Sequence, residues 1–227
     1  MYRQGFLLGH LRCAYCGGPA TTTDHCPARC CFRGRQWPEG YEFPACEPCN
    51  QAGRLDEQVL AVFFCVKLNQ EGSTAEWQAL MRGTANNQRA ILDEWLGMSR
   101  NQQRSSLRQA FGMDGDAMRR AGWGSINLGP LSHGVIERFI IKLGKALYYK
   151  HLGEIFDGVI YARHISAVGK DATPELFDDV LRLAPQWANT ERNGRSLADQ
   201  FVYRFNSSEE LGVVYAVVQF SSRGFFS

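Results

Sequence analysis

The sequence lacks any long apolar segment and has no strong excess of charge of either sign. Its longest apolar run, residues 59–66, has the length of a core helix, whereas a membrane span needs about 20 apolar residues. The apolar stretch at residues 6–8 is far shorter than the core of a signal peptide. We therefore expect a cytoplasmic protein with no membrane partner. The formal net charge of +2 over 227 residues is too small to indicate nucleic-acid binding by itself.

Cysteine, by contrast, is abundant, with eight residues in the chain. A reducing compartment is expected, where paired cysteines more often bind metal than form disulfides. Two Cys-x2-Cys pairs are present, and four thiolates in two such pairs match the tetrahedral coordination of Zn²⁺. We predict one structural zinc ion; free or redox-active thiols are the alternative. The predicted ligands are Cys13, Cys16, Cys46 and Cys49.

Local patterns between the two pairs predict a strand, a loop, a second strand and a helix. The β-branched residues 21–23 favour a strand that leads into Asp24-His25, and residues 41–43 favour the return strand. Residues 27–40 carry Pro, Gly and Arg without periodicity, which is typical of a loop. A helix is expected to begin near Glu47-Pro48, because Pro fits a first turn and Glu suits the positive end of the helix dipole. Its end is expected near residues 69–72.

The rest of the chain predicts mainly helices and a C-terminal hairpin. Residues 73–122 carry apolar faces at helical spacing, and residues 122–134 are rich in Gly, Pro and Ser and indicate a break. Residues 135–152 and 174–183 predict two further helices, the first of them central and buried. Runs at 201–205 and 213–220 flank a polar loop, which favours an antiparallel hairpin. The helical stretch contains a basic stripe, either a solvated or a phosphate-contacting face, formed by Arg100, Arg104 and Arg108.

The motifs in their order resemble the zinc-bearing HNH endonucleases, in particular a set of bacterial members. They read Cys-x2-Cys-Gly-Gly, then Asp-His, then Pro-Ala-Cys-x2-Cys-Asn, and the resemblance covers about residues 13–57. It implies an α+β fold, in which an N-terminal zinc-stapled ββα-metal module (treble-clef-like) spans residues 1–72. A mainly helical region with a small C-terminal antiparallel sheet, residues 73–227, would follow, with no assigned role.

The same resemblance implies a metal-dependent endonuclease that hydrolyses DNA phosphodiester bonds, with RNA not excluded. His25 would be the general base, and Asp24 and Asn50 would bind a catalytic Mg²⁺ or Mn²⁺. The chemistry agrees, because phosphodiester hydrolysis needs an activated water and a cation at the phosphate. Neighbouring strand residues point to opposite faces, so the Asp-His pair needs a local bend to serve one phosphate. A role in bacterial defence or restriction, with a protein partner that selects the target, is the family-level expectation.

The chain departs from the family pattern at two positions. Asn50 replaces the last His, and Tyr41 stands near the place where the family keeps its middle Asn. The alternative function is therefore a catalytically inactive HNH-like zinc module that acts as a nucleic-acid- or protein-binding scaffold. Alternatives also exist for the single residues: His25 as a zinc ligand or a structural hydrogen-bonding group, Asp24 as a turn residue, and Asn50 as a helix cap.

Arginines near the motif are candidate contacts to a nucleic-acid backbone, since guanidinium groups suit phosphates. A surface role is the alternative for each of them. The candidates are Arg29, Arg33 and Arg35 in the loop, and Arg54 one turn beyond Asn50. Asp56 and Glu57 either lend another carboxylate to the metal or form a solvated helix face.

Overall fold

The computed structural model describes residues 2–65, 75–112, 115–120, 127–162 and 173–220. Its helices are α1 Tyr2–Gly9, α2 Glu47–Ala52, α3 Arg54–Cys65, α4 Ala75–Asn87, α5 Arg89–Leu96, α6 Arg100–Phe111, α7 Gly115–Arg120, α8 Pro130–Leu152 and α9 Pro174–Leu183. Its strands are β1 Thr22–His25, β2 Glu42–Ala45, β3 Gln186–Trp187, β4 Glu191–Arg192, β5 Arg195–Ser196, β6 Phe201–Ser208 and β7 Val213–Phe220. The chain is thus a mixture of helices and small antiparallel sheets, as the sequence predicts.

The N-terminal hairpin follows the predicted order of strand, loop, strand and helix. Strands β1 and β2 pair in antiparallel register, with Asp24 opposite Phe43 and His25 opposite Glu42. The intervening loop contains two short 3-10 turns, Arg29–Cys31 and Arg33–Arg35.

Helix α2 begins at Glu47 with proline in its first turn, as expected. The predicted single helix is interrupted at Gly53, and α3 continues from Arg54. A Cβ at Gly53 would lie 3.2 Å from both Glu57 Oε1 and Lys142 Nζ, so the break occurs where other chain atoms approach the backbone closely. The expected helix end at 69–72 and the expected boundary between residues 72 and 73 lie outside the described residues.

Helix α8 is the central element, and it packs against α3, α5 and β7. Its buried apolar positions recur at helical spacing, so that one stripe faces the core. Burying each such side chain contributes roughly 1.5–3 kcal/mol. Residues of the N-terminal hairpin and of the C-terminal sheet join the same cluster, including Phe43, Tyr41, Phe201 and Tyr203.

Both ends of α8 are closed by specific contacts. At its start, the Glu94 carboxylate of α5 accepts hydrogen bonds from the backbone N–H groups of Leu131 and Ser132, each at 2.9 Å. A carboxylate there satisfies unpaired donors and suits the positive end of the helix dipole. At its end, Gly153 adopts a left-handed φ of 72° and donates to Tyr149 O. These contacts fix the two ends of the helix whose charged side chains reach the N-terminal hairpin and α3.

The predicted C-terminal hairpin is confirmed, and two short elements extend it. Strands β6 and β7 pair along their full length, and β3 adds to the other edge of β6. Strands β4 and β5 form a separate small hairpin. Its turn, Asn193-Gly194, has φ values of 49° and 71°, which is the Asn-Gly pattern of a type I′ turn.

The basic stripe on α6 is partly neutralised within the protein. Arg104 Nε lies 3.2 Å from Asp116 Oδ1 of α7, and Arg108 pairs with the same carboxylate. These charges therefore help to hold α7 on α6. Across the described ranges, no helix combines the length and apolar character that crossing a membrane requires.

Candidate metal centre and adjacent polar cleft

Two backbone features bring the four predicted zinc ligands together. Cys13 and Cys16 lie in a tight turn that is closed by hydrogen bonds from Cys13 N to Gly18 O (2.7 Å) and from Gly17 N to Cys13 O (2.9 Å). Gly17 takes a φ of 73°, which favours glycine. Cys46 is the N-cap residue of α2, and Cys49 lies in the first turn of that helix.

The four Sγ atoms fit a single metal ion. All four lie within 4.8 Å of one another, and Cys16 Sγ is 3.7 Å from Cys46 Sγ. A tetrahedral zinc with Zn–S bonds of about 2.3 Å requires S–S separations of roughly 3.8 Å. The cluster is therefore a candidate centre for a metal ion such as zinc, and the prediction of a four-cysteine site is confirmed to that extent.

An open cleft of about 590 Å³ borders this centre. It is bounded by β1, the first 3-10 turn and helices α2 and α3. The lining residues include Asp24, His25, Asn50, Arg29, Arg35, Arg54 and Glu57. The predicted base, the two predicted metal ligands and three of the four candidate arginines thus share one cavity. Arg33 is placed elsewhere, where its side chain pairs with Asp199 and its backbone N–H donates to Gln200.

His25 is held by an aromatic contact that the sequence patterns did not predict. The imidazole meets Trp37 edge to face, with ring centroids 4.6 Å apart and an interplanar angle of 83°. Trp37 is fixed in turn, because its Nε1 donates to Glu42 Oε1 at 2.9 Å and the Arg192 guanidinium lies 3.8 Å from its ring centroid. Trp37 therefore limits the orientations that the imidazole adopts.

Asn50 ties α2 to β1. Its Nδ2 donates to Thr22 Oγ1 at 2.7 Å and to Thr23 O at 3.3 Å. The side-chain carbonyl oxygen is consequently on the other side of the carboxamide. Since Cys46 occupies the N-cap position, Asn50 does not act as the cap of this helix.

Asp24 is buried, with only 5% of its surface exposed, and its carboxylate is already bound. Its Oδ2 accepts a hydrogen bond from the Tyr15 hydroxyl at 2.6 Å and lies 2.9 Å from Lys142 Nζ. Lys142 also donates to Glu57 Oε1 at 2.7 Å, so one ammonium bridges two carboxylates. Burial alone would lower the pKa of Lys142, but Asp24 and Glu57 more than offset it and raise that pKa above its ordinary value.

The oxygen ligands available around Asp24 do not fit the Mg²⁺ or Mn²⁺ ion that is expected on Asp24 and Asn50. One Asp24 oxygen is shared between two hydrogen-bond donors, and Glu57 binds the same ammonium. Mg²⁺ needs several oxygen ligands in near-octahedral geometry, and a fixed positive charge beside Asp24 opposes a second cation.

Packing also decides the positions of two further residues, Asp56 and Tyr41. Asp56 forms a bidentate ion pair with Arg138 of α8, at 2.7 and 2.9 Å, so it is neither a solvated residue nor part of the cleft. Tyr41 is buried on the core side of the hairpin, where its hydroxyl donates to Tyr203 Oη and to Asn189 O. Tyr41 therefore joins the C-terminal sheet to the hairpin and does not line the cleft.

The residues that sequence reasoning missed reach the site from distant parts of the chain. Tyr15 and Trp37 give no local signal of their role. Lys142 does give one, since it is a charged residue inside the strongly apolar run of α8. No family model, curated protein or solved structure matches this chain.

Proposed function

We propose that the protein is a nucleic-acid phosphodiester hydrolase of the HNH type, with DNA as the first expected substrate. One observation carries the proposal: His25 shares an open cleft with Arg29, Arg35 and Arg54, beside a four-cysteine metal centre. Histidine is suited to take a proton from water near neutral pH. Arginine is suited to bind phosphate oxygens.

The order of elements supports the same proposal. The first cysteine pair precedes β1, the second pair begins α2, and His25 and Asn50 lie on those two elements. Where zinc is bound, four protein ligands leave no open position, so the ion supplies shape and takes no part in the chemistry. The resemblance drawn from the sequence motifs implies this arrangement.

In the proposed reaction, the imidazole of His25 takes a proton from a water molecule. The water oxygen forms a bond to phosphorus, the ester P–O bond breaks, and the leaving oxygen takes a proton from solvent. The guanidinium groups around the cleft stabilise the charge on the non-bridging phosphate oxygens. Trp37 limits the orientations of the imidazole through its edge-to-face contact. Because Asp24 is committed to Tyr15 and Lys142, no step is assigned to a divalent ion.

The test is cleavage of plasmid DNA, single-stranded DNA and RNA by the zinc-loaded full chain. His25→Ala is expected to lower the rate by about 100-fold or more, because a positioned general base contributes that much. His133→Ala is the matched control, since His133 lies exposed on α8, away from the cleft lining. Zinc content and circular dichroism should be unchanged in both variants. Failure of the wild-type protein to cleave any of the three substrates would exclude the hydrolase.

One observation favours a second candidate, a nucleic-acid-binding module without catalysis. The predicted metal ligand Asp24 is buried and bound by protein groups. A scaffold of this kind would bind DNA with strong salt dependence and leave it intact. Arg54→Gln should then weaken binding and reduce the salt dependence, with His25→Ala having no effect on integrity of the DNA. A targeting partner and a role in bacterial defence remain predictions.

A further inference from the structure

We propose that Lys142, which pairs with Asp24 and Glu57 of the cleft lining, is a fixed cation that takes the place of the divalent ion that the HNH resemblance implies at Asp24. The catalytic part of this inference rests on the proposed hydrolase function. The cation-binding part rests on geometry alone, and it is tested without any measurement of activity.

The surroundings of the ammonium have the composition of a built cation site. Lys142 Nζ contacts Asp24 at 2.9 Å and Glu57 at 2.7 Å, and it lies 5.5 Å from the ring centroid of Tyr15. The three charged side chains are only 14%, 6% and 18% exposed, in the order Lys142, Asp24, Glu57. Two carboxylates and an aromatic ring are groups that bind cations. The ammonium thus fills a position that would otherwise attract a metal ion.

The backbone near the ammonium is adapted to its presence. A Cβ at Gly53 would lie 3.2 Å from Lys142 Nζ and 3.2 Å from Glu57 Oε1. These distances are tighter than ordinary van der Waals contact, so a larger residue at the junction of α2 and α3 would require the ends of both side chains to shift by a few tenths of an ångström. The ion pair thus packs closely against the backbone at this junction.

The position of Lys142 is fixed by contacts on both sides of it along α8. One turn earlier, Arg138 forms its bidentate pair with Asp56, and three residues later Lys145 donates to the Tyr15 carbonyl at 3.0 Å. These contacts hold the backbone of α8 at Lys142 against Asp56 and Tyr15. A divalent ion would have to displace the mostly buried Lys142 ammonium from its two carboxylate partners.

The charges of the network support the same inference. Asp24 and Glu57 carry two negative charges and Lys142 carries one positive charge, so the group retains a single negative charge. A divalent ion gains less attraction from this group than from two free carboxylates, and the nearby ammonium repels it. Lys142 acts on the cleft through Asp24 and Glu57, which makes it a positioning residue. Neutralisation of the phosphate is left to the arginines that line the cavity.

The first experiment uses Mn²⁺ as the probe on the zinc-loaded full chain, with free Mn²⁺ followed by electron paramagnetic resonance. We expect no Mn²⁺ site at Asp24 in the wild-type protein, so the wild-type protein and Asp24→Asn should bind Mn²⁺ equally. Lys142→Met should acquire such a site and bind Mn²⁺ at least about tenfold more tightly than wild type, because two carboxylates then lack a counter-ion. The added site should disappear in the Lys142→Met, Asp24→Asn double variant.

Lys145→Met is the matched control, since it removes the same charge from the same helix, where the ammonium donates to a backbone carbonyl. It should acquire no Mn²⁺ site. A wild-type Mn²⁺ site that is lost in Asp24→Asn overturns the inference, and this comparison decides the question even if Lys142→Met does not fold. Lys142→Met that folds and gains no site also overturns it.

The second experiment measures cleavage after free divalent ions have been removed and the zinc content has been verified. The rate should change by less than about threefold on addition of Mg²⁺, in contrast to the large effects of a catalytic metal. A stimulation above about 100-fold that is abolished by Asp24→Asn would overturn the inference. If no cleavage occurs with or without Mg²⁺, the hydrolase function fails, and the Mn²⁺ measurement still decides whether Lys142 occupies the cation position.

Discussion

Replacement of Lys142 with methionine is expected to lower the free energy of unfolding by about 3–5 kcal/mol at neutral pH. Methionine keeps most of the apolar stem, so the main change is loss of the ammonium. The carboxylates of Asp24 and Glu57, which are 6% and 18% exposed, would then face each other without a counter-ion. Removing one partner of a buried ion pair costs this amount because the other charge is left uncompensated.

The cost should depend on pH in a defined direction. Even beside Lys142, burial keeps the pKa of Glu57 above its ordinary value. Without the ammonium, burial and repulsion from Asp24 raise the pKa of Glu57 further. A group whose pKa is raised in the folded state binds more protons there than in the unfolded state, so the stability of the variant falls as pH increases. The difference between wild type and variant should therefore widen from pH 5.5 to pH 8.

The assay is urea unfolding of the zinc-loaded proteins, followed by circular dichroism over that pH range, with the zinc content verified at each pH because metal affinity depends on pH. Lys145→Met is the control, with an expected loss of about 0.5–1.5 kcal/mol for one hydrogen bond to a backbone carbonyl and no pH trend. Adding Asp24→Asn to Lys142→Met should recover part of the lost stability. A loss below about 1 kcal/mol, or a loss that does not change with pH, would refute the buried ion-pair network.

Two further predictions concern the metal centre and the C-terminal part of α8. The purified chain should contain one zinc ion, which Cys46→Ser loses and Cys30→Ser keeps, as measured by atomic emission; full occupancy in Cys46→Ser would contradict the four-cysteine assignment. Burial, with a smaller contribution from Lys150, lowers the pKa of His151 from 6.5 to about 4. The unfolded chain therefore takes up this proton first, and stability is lost as pH falls through 6.5. The loss should reach about 1.4 kcal/mol at pH 5.5, and it should be absent from His151→Gln; identical pH profiles of the two proteins would contradict the shift.

The N-terminal elements could be predicted because their signals are local. A β-branched run begins β1, Glu and Pro begin α2, and the Cys-x2-Cys spacing brings thiolates together. The close approach of Lys142 and Glu57 to Gly53 could not be predicted in this way, because Lys142 is 85 residues from Glu57 in sequence. The Asn193-Gly194 turn, by contrast, is a local hairpin signal that sequence reasoning overlooked.

The sequence predicted which residues line the candidate site, but it did not predict the contacts that these residues make. His25, Asp24 and Asn50 do line one cleft, because the hairpin and α2 bring them together. The ion-pair partner of Asp24, Lys142, comes from a helix in the second half of the chain, and no local pattern connects the two. Tyr41 could not be placed from motif alignment either, since its burial depends on Tyr203 in the C-terminal sheet.

Because Arg138 and Lys142 of α8 pair with acidic residues of the N-terminal part, the site can form only after α8 has been synthesised. The cysteine cluster and the acidic residues Asp24, Asp56 and Glu57 leave the ribosome before Arg138 and Lys142 have been made. A nascent chain or a truncated fragment can thus bind zinc early, but its acidic side chains lack their counter-ions until helix α8 is present. We expect a fragment that ends before α8 to take up zinc without forming an ordered cleft; an ordered hairpin in that fragment by NMR would contradict this. Any hydrolytic activity would consequently begin only after most of the chain has been synthesised, which delays exposure of nucleic acid to the finished site.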